Sequence, residues 1–419
     1  MVDTQFAEMK ATQKEWELKR RIPIKLSTAA LISVLGPASA WTVGGYNGLL
    51  IYIGIYIVSK LLTAQIASVS VRNAIFAYRF SPLLLVAGGV IPIFSQDENI
   101  FVLCIPFLLG SYEGAYWTGY HDIRRVFKSE KETEDYSVMK FTRVEVFCTV
   151  IGALVAAWLK SVESNSVFTD PGVIAGFFAL SAFAIPWNKQ IVDPDELKFG
   201  KISNKDSLTK GKLISQPFAV VQFVATNGMR FAALQKSVMW LGILVAVAEA
   251  AGHIASEIVE AWSNIKQRLT VIEKKVNIIQ ESVAVQSVKL ALWNSGYYIA
   301  FCGLIGMVFG LYVDNFWYFI VGWFFAQGAI RGVLRRLEIR FADSALTSAS
   351  TTISDDQLQI GLRERLKFKA HAVMVLLLVG PSIYLSSNDL VFLLLAIGSL
   401  SCLLSLLLPM TKPDFFEMN

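Results

Sequence analysis

The chain is dominated by a succession of apolar runs that are each about as long as a lipid bilayer is thick. A helix needs about 20 mainly apolar residues to cross the hydrocarbon layer. Inside lipid the backbone N–H and C=O groups must be bonded within the segment, so such runs form helices. Only 17% of the residues are charged, against about 25% in a soluble domain. The sequence therefore predicts an all-α, polytopic membrane protein with about twelve transmembrane helices.

Polar segments separate the predicted helices into two groups of six. The central polar segment is expected to be a cytoplasmic loop, and its more apolar second part to form an interfacial helix. The boundaries are a basic tail at 1–25, a six-helix bundle at 26–190, the central loop at 191–236, a second bundle at 237–409 and a tail at 410–419.

Residues 262–293 fit two interpretations. Apolar residues recur there in alternating steps of four and three, which is typical of a coiled-coil seam. They are Ile265, Leu269, Ile272, Val276, Ile279 and Val283. The later part, 276–293, is either a polar eighth span followed by a ninth at 297–313, or a helix outside the membrane that binds a partner.

The distribution of lysine and arginine favours one topology. With the N-terminus inside and 276–293 counted as a span, the inner segments hold 30 basic residues and the outer segments five. Lysine and arginine collect on the cytoplasmic side of membrane proteins. We therefore expect a multi-pass protein of the inner or plasma membrane with both termini cytoplasmic. The net charge of +5 then reflects these loops and does not indicate nucleic-acid binding.

The fourth predicted span carries an acidic residue, Glu113, among aromatic residues. An ionisable residue within a bilayer is costly and is a functional-site hypothesis by default. Tyr116 lies one turn away along the same helix. Gly110 and Gly114 form a small-x3-small pair that allows a neighbouring helix to approach closely. The alternative for Glu113 is a structural hydrogen bond between helices.

Two further spans carry ionisable groups. Glu249 and His253 are one turn apart on the seventh predicted span, which favours a proton or substrate site. A metal site is not expected, because one helix supplies only part of a coordination sphere. On the tenth span, Arg331 either binds an anionic group or extends toward the basic inner end, with Gln327 one turn away. Lys60 and Glu145 are expected to be solvated or to extend to the membrane surface.

The two halves show a weak internal repeat. A shift of 214 residues places Glu113 and Gly114 on Gln327 and Gly328. Both helices run from an apolar half into a basic end and are followed by a long charged loop. Paired helices of this kind are typical of transporters built from repeated halves.

With twelve spans, a 6+6 division, a charged central loop and paired fourth and tenth helices, the chain resembles the major facilitator superfamily. The resemblance covers nearly all of 26–409. The stretch 70–79, where the family's loop signature would lie, contains neither glycine nor aspartate. The resemblance implies two six-helix bundles around a central cavity lined by spans 1, 4, 7 and 10, which opens alternately to each side.

We therefore expect a secondary active transporter that moves a small-molecule substrate across the lipid bilayer, with Glu113 or Glu249 taking a coupling proton. No P-loop, dinucleotide fingerprint or catalytic motif is present, so no enzyme activity, catalytic residue, cofactor or resident metal is expected. The alternative is a non-transporting membrane scaffold that binds a partner through 265–283. The candidate cavity residues are Glu113, Tyr116, Glu249, His253, Gln327 and Arg331.

Overall fold

The computed structural model describes most of the chain, and almost all of the described residues are helical. They form twelve helices, named α1 to α12 below, so the predicted all-α architecture of about twelve helices is confirmed. The described residues are 19–94, 97–126, 139–162, 170–185, 198–199, 205–273, 279–335, 337–338, 357–358 and 362–407.

The first two helices form one helical stretch, Lys19–Ala67. Gly45 divides it into α1 and α2, because its φ of 54° and ψ of −134° lie outside the helical region. A positive φ is readily adopted only by glycine. The part of α1 at Ala29–Leu35 is π-helical. The next helices are α3 (Val71–Phe94), α4 (Ile105–Val126, preceded by the π-helical Ile100–Cys104), α5 (Met139–Ser161) and α6 (Pro171–Ala184).

The second half of the chain contributes six more helices. They are α7 (Lys205–Lys236), α8 (Val238–Glu273), α9 (Ile279–Tyr312), α10 (Phe316–Gln327, continued by the π-helical Gly328–Leu334), α11 (Leu362–Tyr384) and α12 (Ser387–Leu407). Helix α9 is unbroken, so the separate eighth and ninth spans predicted at 276–293 and 297–313 are wrong. The intervening Asn294-Ser295-Gly296 is polar and small, but it continues the helix.

Two helix starts are fixed by side-chain caps of the expected kind. The Oδ1 of Asp170 accepts hydrogen bonds from the backbone N–H groups of Gly172 and Val173, at 2.8 and 3.1 Å. The Oδ1 of Asn315 accepts one from the backbone N–H of Trp317, at 3.0 Å. These caps define where α6 and α10 begin.

Contacts group the chain into two compact units. In unit 1, α2 packs against α4, and α3 packs against both α4 and α6. Unit 1 also contains a two-residue parallel pairing of Lys198–Phe199 with Gln357–Leu358. In unit 2, α9 packs against α10 and α12. Unit 1 is Met1–Ser203, Ala233–Ala246 and Ser350–Val379; unit 2 is Asn204–Ala232, Val247–Ala349 and Gly380–Asn419.

The helices have the length and surface of membrane spans. Among the described residues, eight helical stretches are long and apolar enough to cross a membrane, and the 49-residue stretch containing α1 and α2 is one of them. Large apolar side chains lie exposed along these stretches, such as Phe107, Phe147 and Leu376 at 53%, 65% and 74% exposure. Exposed apolar surface of this extent suits lipid and not water. The chain is therefore a multi-pass membrane protein.

Candidate functional site

Helices α2 and α4 of unit 1 pack with their backbones in close contact. A Cβ at Gly110 would lie 2.2 Å from the carbonyl O of Tyr56, and one at Gly114 would lie 2.3 Å from the carbonyl O of Lys60. Neither position has room for a side chain. The small-x3-small pair predicted on α4 therefore lies against α2, as such pairs do between membrane helices.

This close approach brings Glu113 of α4 against Lys60 of α2. The Lys60 Nζ donates to the Glu113 Oε2 in an ion pair. The Nζ also lies 4.3 Å from the ring centroid of Phe368 and 5.8 Å from that of Tyr56. Lys60 is buried, so the expectation that it extends to the membrane surface is wrong.

The aromatic face of α4 forms a packed stack. Tyr116 is only 2% exposed, and its ring lies 5.4 Å from the rings of both Tyr112 and Tyr120. Tyr78 of α3 closes the stack at 5.3 Å from Tyr116. The structure thus places Tyr116 within the helix packing of unit 1.

Basic residues at the start of α1 cover one end of this stack. The Arg20 Nη2 donates to the carbonyl O of Tyr78 at 3.0 Å, and its guanidinium lies over the Tyr78 ring. Arg21 pairs with Glu145 of α5 at 3.0 Å, and Lys25 lies 3.7 Å from the same carboxylate. Glu145, whose side chain is 24% exposed, is therefore part of a charge cluster.

Unit 2 contains a second ion pair, between α8 and α10. The Arg331 Nη1 donates to the Glu249 Oε1. The Arg331 Nε donates to the Oε1 of Gln327 at 2.8 Å, and Gln327 is buried. The structure thus brings together three of the predicted site residues. Arg331 lies in the π-helical segment of α10, and π-helical turns are frequent at functional sites.

Small residues also allow helices α8 and α10 to approach each other closely. A Cβ at Gly332 would lie 2.8 Å from the carbonyl O of Gly252, and one at Gly252 would lie 2.8 Å from the Cβ of Arg331. The charged residue directly precedes the second glycine in both units: Glu113-Gly114 on α4 and Arg331-Gly332 on α10. The two pairs have opposite polarity, because α4 supplies the acid and α10 supplies the base.

His253 lies one turn along α8 from Glu249. Its Nε2 is 3.7 Å from the Oε1 of Glu257, the next residue on that face. Its Nδ1 is buried and makes no hydrogen bond within the described part of the chain. The described residues contain no group of three or more His, Cys, Asp or Glu side chains that could hold a metal.

Helix α7 adds polar residues in a segment that the sequence predicts to be an interfacial helix. Asn227 and Arg230 are 4% and 8% exposed. The Arg230 Nη1 donates to the Asn227 Oδ1 at 3.2 Å, and the Asn227 Nδ2 donates to the carbonyl O of Phe223 at 3.0 Å. The spacing of Asn227 and Arg230, one turn apart in an apolar helix, is the signal that could have identified them.

Comparison with known structures identifies similar folds. A bacterial homologue of the iron transporter ferroportin, in an inward-facing state, has a TM-score of 0.58 at 11% identity, covering 95% of this chain and 97% of that one. The POT family transporter PepTSo has a TM-score of 0.60 at 10% identity, covering 94% and 97%. An auto-inhibited POT family peptide transporter has 0.58 at 12% identity, covering 94% and 96%.

No family model and no curated protein matches the sequence. The structural likeness nevertheless extends over nearly the whole of this chain and of each structure compared. Twelve helices, with glycine-mediated contacts between α2 and α4 and between α8 and α10, agree with it. The chain therefore has the fold of the major facilitator superfamily, carried by a divergent sequence.

Proposed function

We propose that the protein is a secondary active transporter that moves a small solute by alternating access. The observation that carries the proposal is the occurrence of two ion pairs, Lys60–Glu113 and Arg331–Glu249. Lys60, Glu113 and Glu249 lie in helical stretches that are long and apolar enough to span a membrane. Charges at this depth are costly and mark substrate or proton pathways in transporters. The fold is one that solved transporters share.

The two carboxylates are the candidate acceptors for a coupling proton. Each is held by a cation as long as it is ionised. A proton on either carboxylate removes the attraction and leaves a cation that must find another anion or water, because an unpaired buried charge is strongly unfavourable. Protonation would therefore be linked to a rearrangement of α2 against α4, or of α8 against α10.

This linkage can be tested in proteoliposomes loaded with a pH-sensitive dye. A panel of amino acids, dicarboxylates, phosphate, sugars and peptides is added to one side, and proton movement with each solute is recorded. We expect Glu113→Gln or Glu249→Gln to lower the coupled rate about tenfold or more, equivalent to about 1.4 kcal/mol. Glu257→Gln is the control, because its side chain on the same helix is 36% exposed. Unchanged coupling in both variants would contradict the assignment.

We also propose that α7 crosses the membrane, with both termini in the cytoplasm. The continuous α9 removes one predicted span, and α7 is 32 residues long with a largely buried apolar second half. Inner segments then hold 33 of the 38 lysines and arginines, and outer segments hold two, Lys160 and Lys236. The other three, Lys60, Arg230 and Arg331, lie within helices. This distribution fits the positive-inside rule better than the topology in which α7 does not span, where inner segments hold 30 basic residues and outer segments hold five.

Single cysteines in a cysteine-free background test this topology. We expect Lys236→Cys to react with a membrane-impermeant maleimide from outside, and Lys274→Cys to react only after the membrane is opened. Lys160→Cys is the control, since it lies outside whether or not α7 crosses. Labelling of Lys274→Cys from outside in intact cells would show that α7 does not span.

The scaffold alternative has one supporting observation. Helix α8 continues to Glu273 and α9 begins at Ile279, whereas their apolar spanning windows are Val238–Val259 and Ala291–Tyr312. Both helices thus extend beyond the membrane-spanning part. The side chains of the predicted seam at 265–283 lie outside the described residues. Failure of every solute in the proteoliposome panel would favour this alternative.

A further inference from the structure

We propose that Phe368 of α11 is a positioning residue, whose ring holds the Lys60 ammonium when Glu113 takes up a proton and thereby favours that protonation. All three residues belong to unit 1. The inference rests on the proposed function, in which Glu113 accepts a coupling proton. It adds a residue that acts through Lys60 on the proton affinity of this carboxylate.

The Lys60 ammonium lies between one carboxylate and two aromatic rings. Its Nζ donates to the Glu113 Oε2 and lies 4.3 Å from the ring centroid of Phe368 and 5.8 Å from that of Tyr56. A cation within about 6 Å of a ring centroid is attracted by the negative face of the ring, most strongly where water is excluded. Lys60 and Phe368 are 8% and 2% exposed. Phe368 is therefore a second partner for the ammonium.

The packing of α11 along α2 sets the position of this ring. A Cβ at Gly54 would lie 3.8 Å from the Cγ1 of Val375, an ordinary van der Waals distance, so the two helices also meet there. Going from Gly54 to Lys60 along α2 leads from Val375 back to Phe368 along α11, as expected for antiparallel helices. The Phe368 ring is thus held beside Lys60 by two helices and not by a loop.

Protonation of Glu113 changes which partner holds the ammonium. While the carboxylate is ionised, it attracts Lys60 more strongly than a ring does. One proton from the aqueous side then forms the Glu113 O–H bond, and Lys60 keeps its own protons. The Lys60 charge stays buried, and a buried charge without a partner is strongly unfavourable. The Phe368 ring lowers that cost in the protonated state, so its loss should lower the proton affinity of Glu113.

Other titratable side chains lie on the same stretches of helix or on helices packed against them. Histidine titrates near physiological pH, so the histidine on α11 is the neighbour that the test must separate from Phe368. These side chains are Lys367 and His371 on α11, Tyr112 and Tyr116 on α4, Tyr78 on α3, which contacts Tyr116, and Lys25 on α1, which lies 5.5 Å from the ring of Trp117.

Infrared spectroscopy of the full chain in phosphatidylcholine nanodiscs measures the protonation of Glu113 without any transport. The carbonyl stretch of protonated carboxyl groups is recorded from acid to alkaline pH, and the part that is absent from Glu113→Gln is assigned to Glu113. We expect Phe368→Leu to move the midpoint of this titration toward acid by about half a unit or more, which is a loss of proton affinity of about threefold or more. Phe368→Tyr and Phe368→Trp keep a ring and should keep the parental midpoint.

Three controls separate positioning from packing. Phe319→Leu removes a ring that is 0% exposed in α10 and stacks on Phe316, so it should lower stability and leave the midpoint unchanged. In a Lys60→Met background, Phe368→Leu should no longer move the midpoint, because the ring has no ammonium to hold. In a His371→Gln background, Phe368→Leu should move the midpoint as it does in the parent.

Four results would overturn the proposal. They are an unchanged midpoint or a shift toward alkaline pH in Phe368→Leu, an equal shift in the Lys60→Met background, a shift of the same size in Phe319→Leu, and a Glu113 signal that does not titrate.

The infrared and transport experiments can fail separately. If Glu113→Gln lowers coupled transport but Phe368→Leu leaves the titration unchanged, this inference fails and the proposed function stands. If the titration depends on Phe368 as expected but no solute moves with protons in proteoliposomes, the transport function fails and the positioning of Lys60 stands.

Discussion

Glu113→Ala should destabilise the folded chain by about 3–5 kcal/mol, the usual cost of removing one partner of a buried ion pair. The substitution leaves the Lys60 ammonium in the contact between α2 and α4, where Lys60 is 8% exposed. The rings of Phe368 and Tyr56 stay close to the ammonium, but they attract it less than a carboxylate does. The effect is measured as a lower midpoint of thermal unfolding of the purified chain in detergent.

A double-mutant cycle separates the loss of the pair from the loss of a side chain. Lys60→Met combined with Glu113→Ala removes both charges, so its stability should lie closer to the parent than that of Glu113→Ala alone. Glu257→Ala is the control, because that carboxylate is 36% exposed and its loss should have little effect. A double variant that is as unstable as the sum of the single variants would show that the two charges do not interact.

The second large effect is expected at Gly110. An alanine Cβ there would lie 2.1 Å from the Oγ of Ser59 and 2.2 Å from the backbone O of Tyr56. The backbone of α2 cannot give way as a flexible side chain can, so the two helices must separate. We expect Gly110→Ala to cost about 1–3 kcal/mol, as overpacking does elsewhere, and larger residues to prevent folding.

Gly380→Ala in α11 is the matched control for Gly110→Ala. A Cβ at Gly380 would have no atom within 4 Å, and alanine favours a helix more than glycine does. Its unfolding midpoint should therefore equal or exceed that of the parent. Equal midpoints for the Gly110 and Gly380 variants would show that α2 and α4 do not pack this closely.

The sequence identified the residues that carry charge but not all of their partners. Because a carboxylate within a bilayer is energetically costly, Glu113 and Glu249 could be identified as candidates from the sequence. The glycine spacing predicted that another helix packs closely against α4. Lys60 was not identified as the partner, because a contact across 53 positions depends on how α2 is rotated about its axis. Helical periodicity fixes which residues share a face, but it does not fix which face meets which helix.

Helices α7 and α9 show a different limit of prediction from the sequence. Asn227 and Arg230 lower the hydropathy of α7, so composition assigns it to a membrane surface. In the structure both side chains are buried and bonded to neighbours. Conversely, the polar start of α9 and its apolar remainder differ so much in composition that they were predicted as separate helices. A helix interrupted in composition need not be interrupted in its backbone hydrogen bonds.

The pairing of each carboxylate with one cation has a consequence for the response to voltage. Each pair is neutral when its carboxylate is ionised and carries one positive charge when that carboxylate is protonated. The positive charge then remains on α2 in one case and on α10 in the other. A membrane potential of 100 mV acts on a charge that crosses the whole field with about 2.3 kcal/mol. Under the proposed proton coupling, movement of a proton-loaded form that carries this charge across the field would therefore depend on the membrane potential.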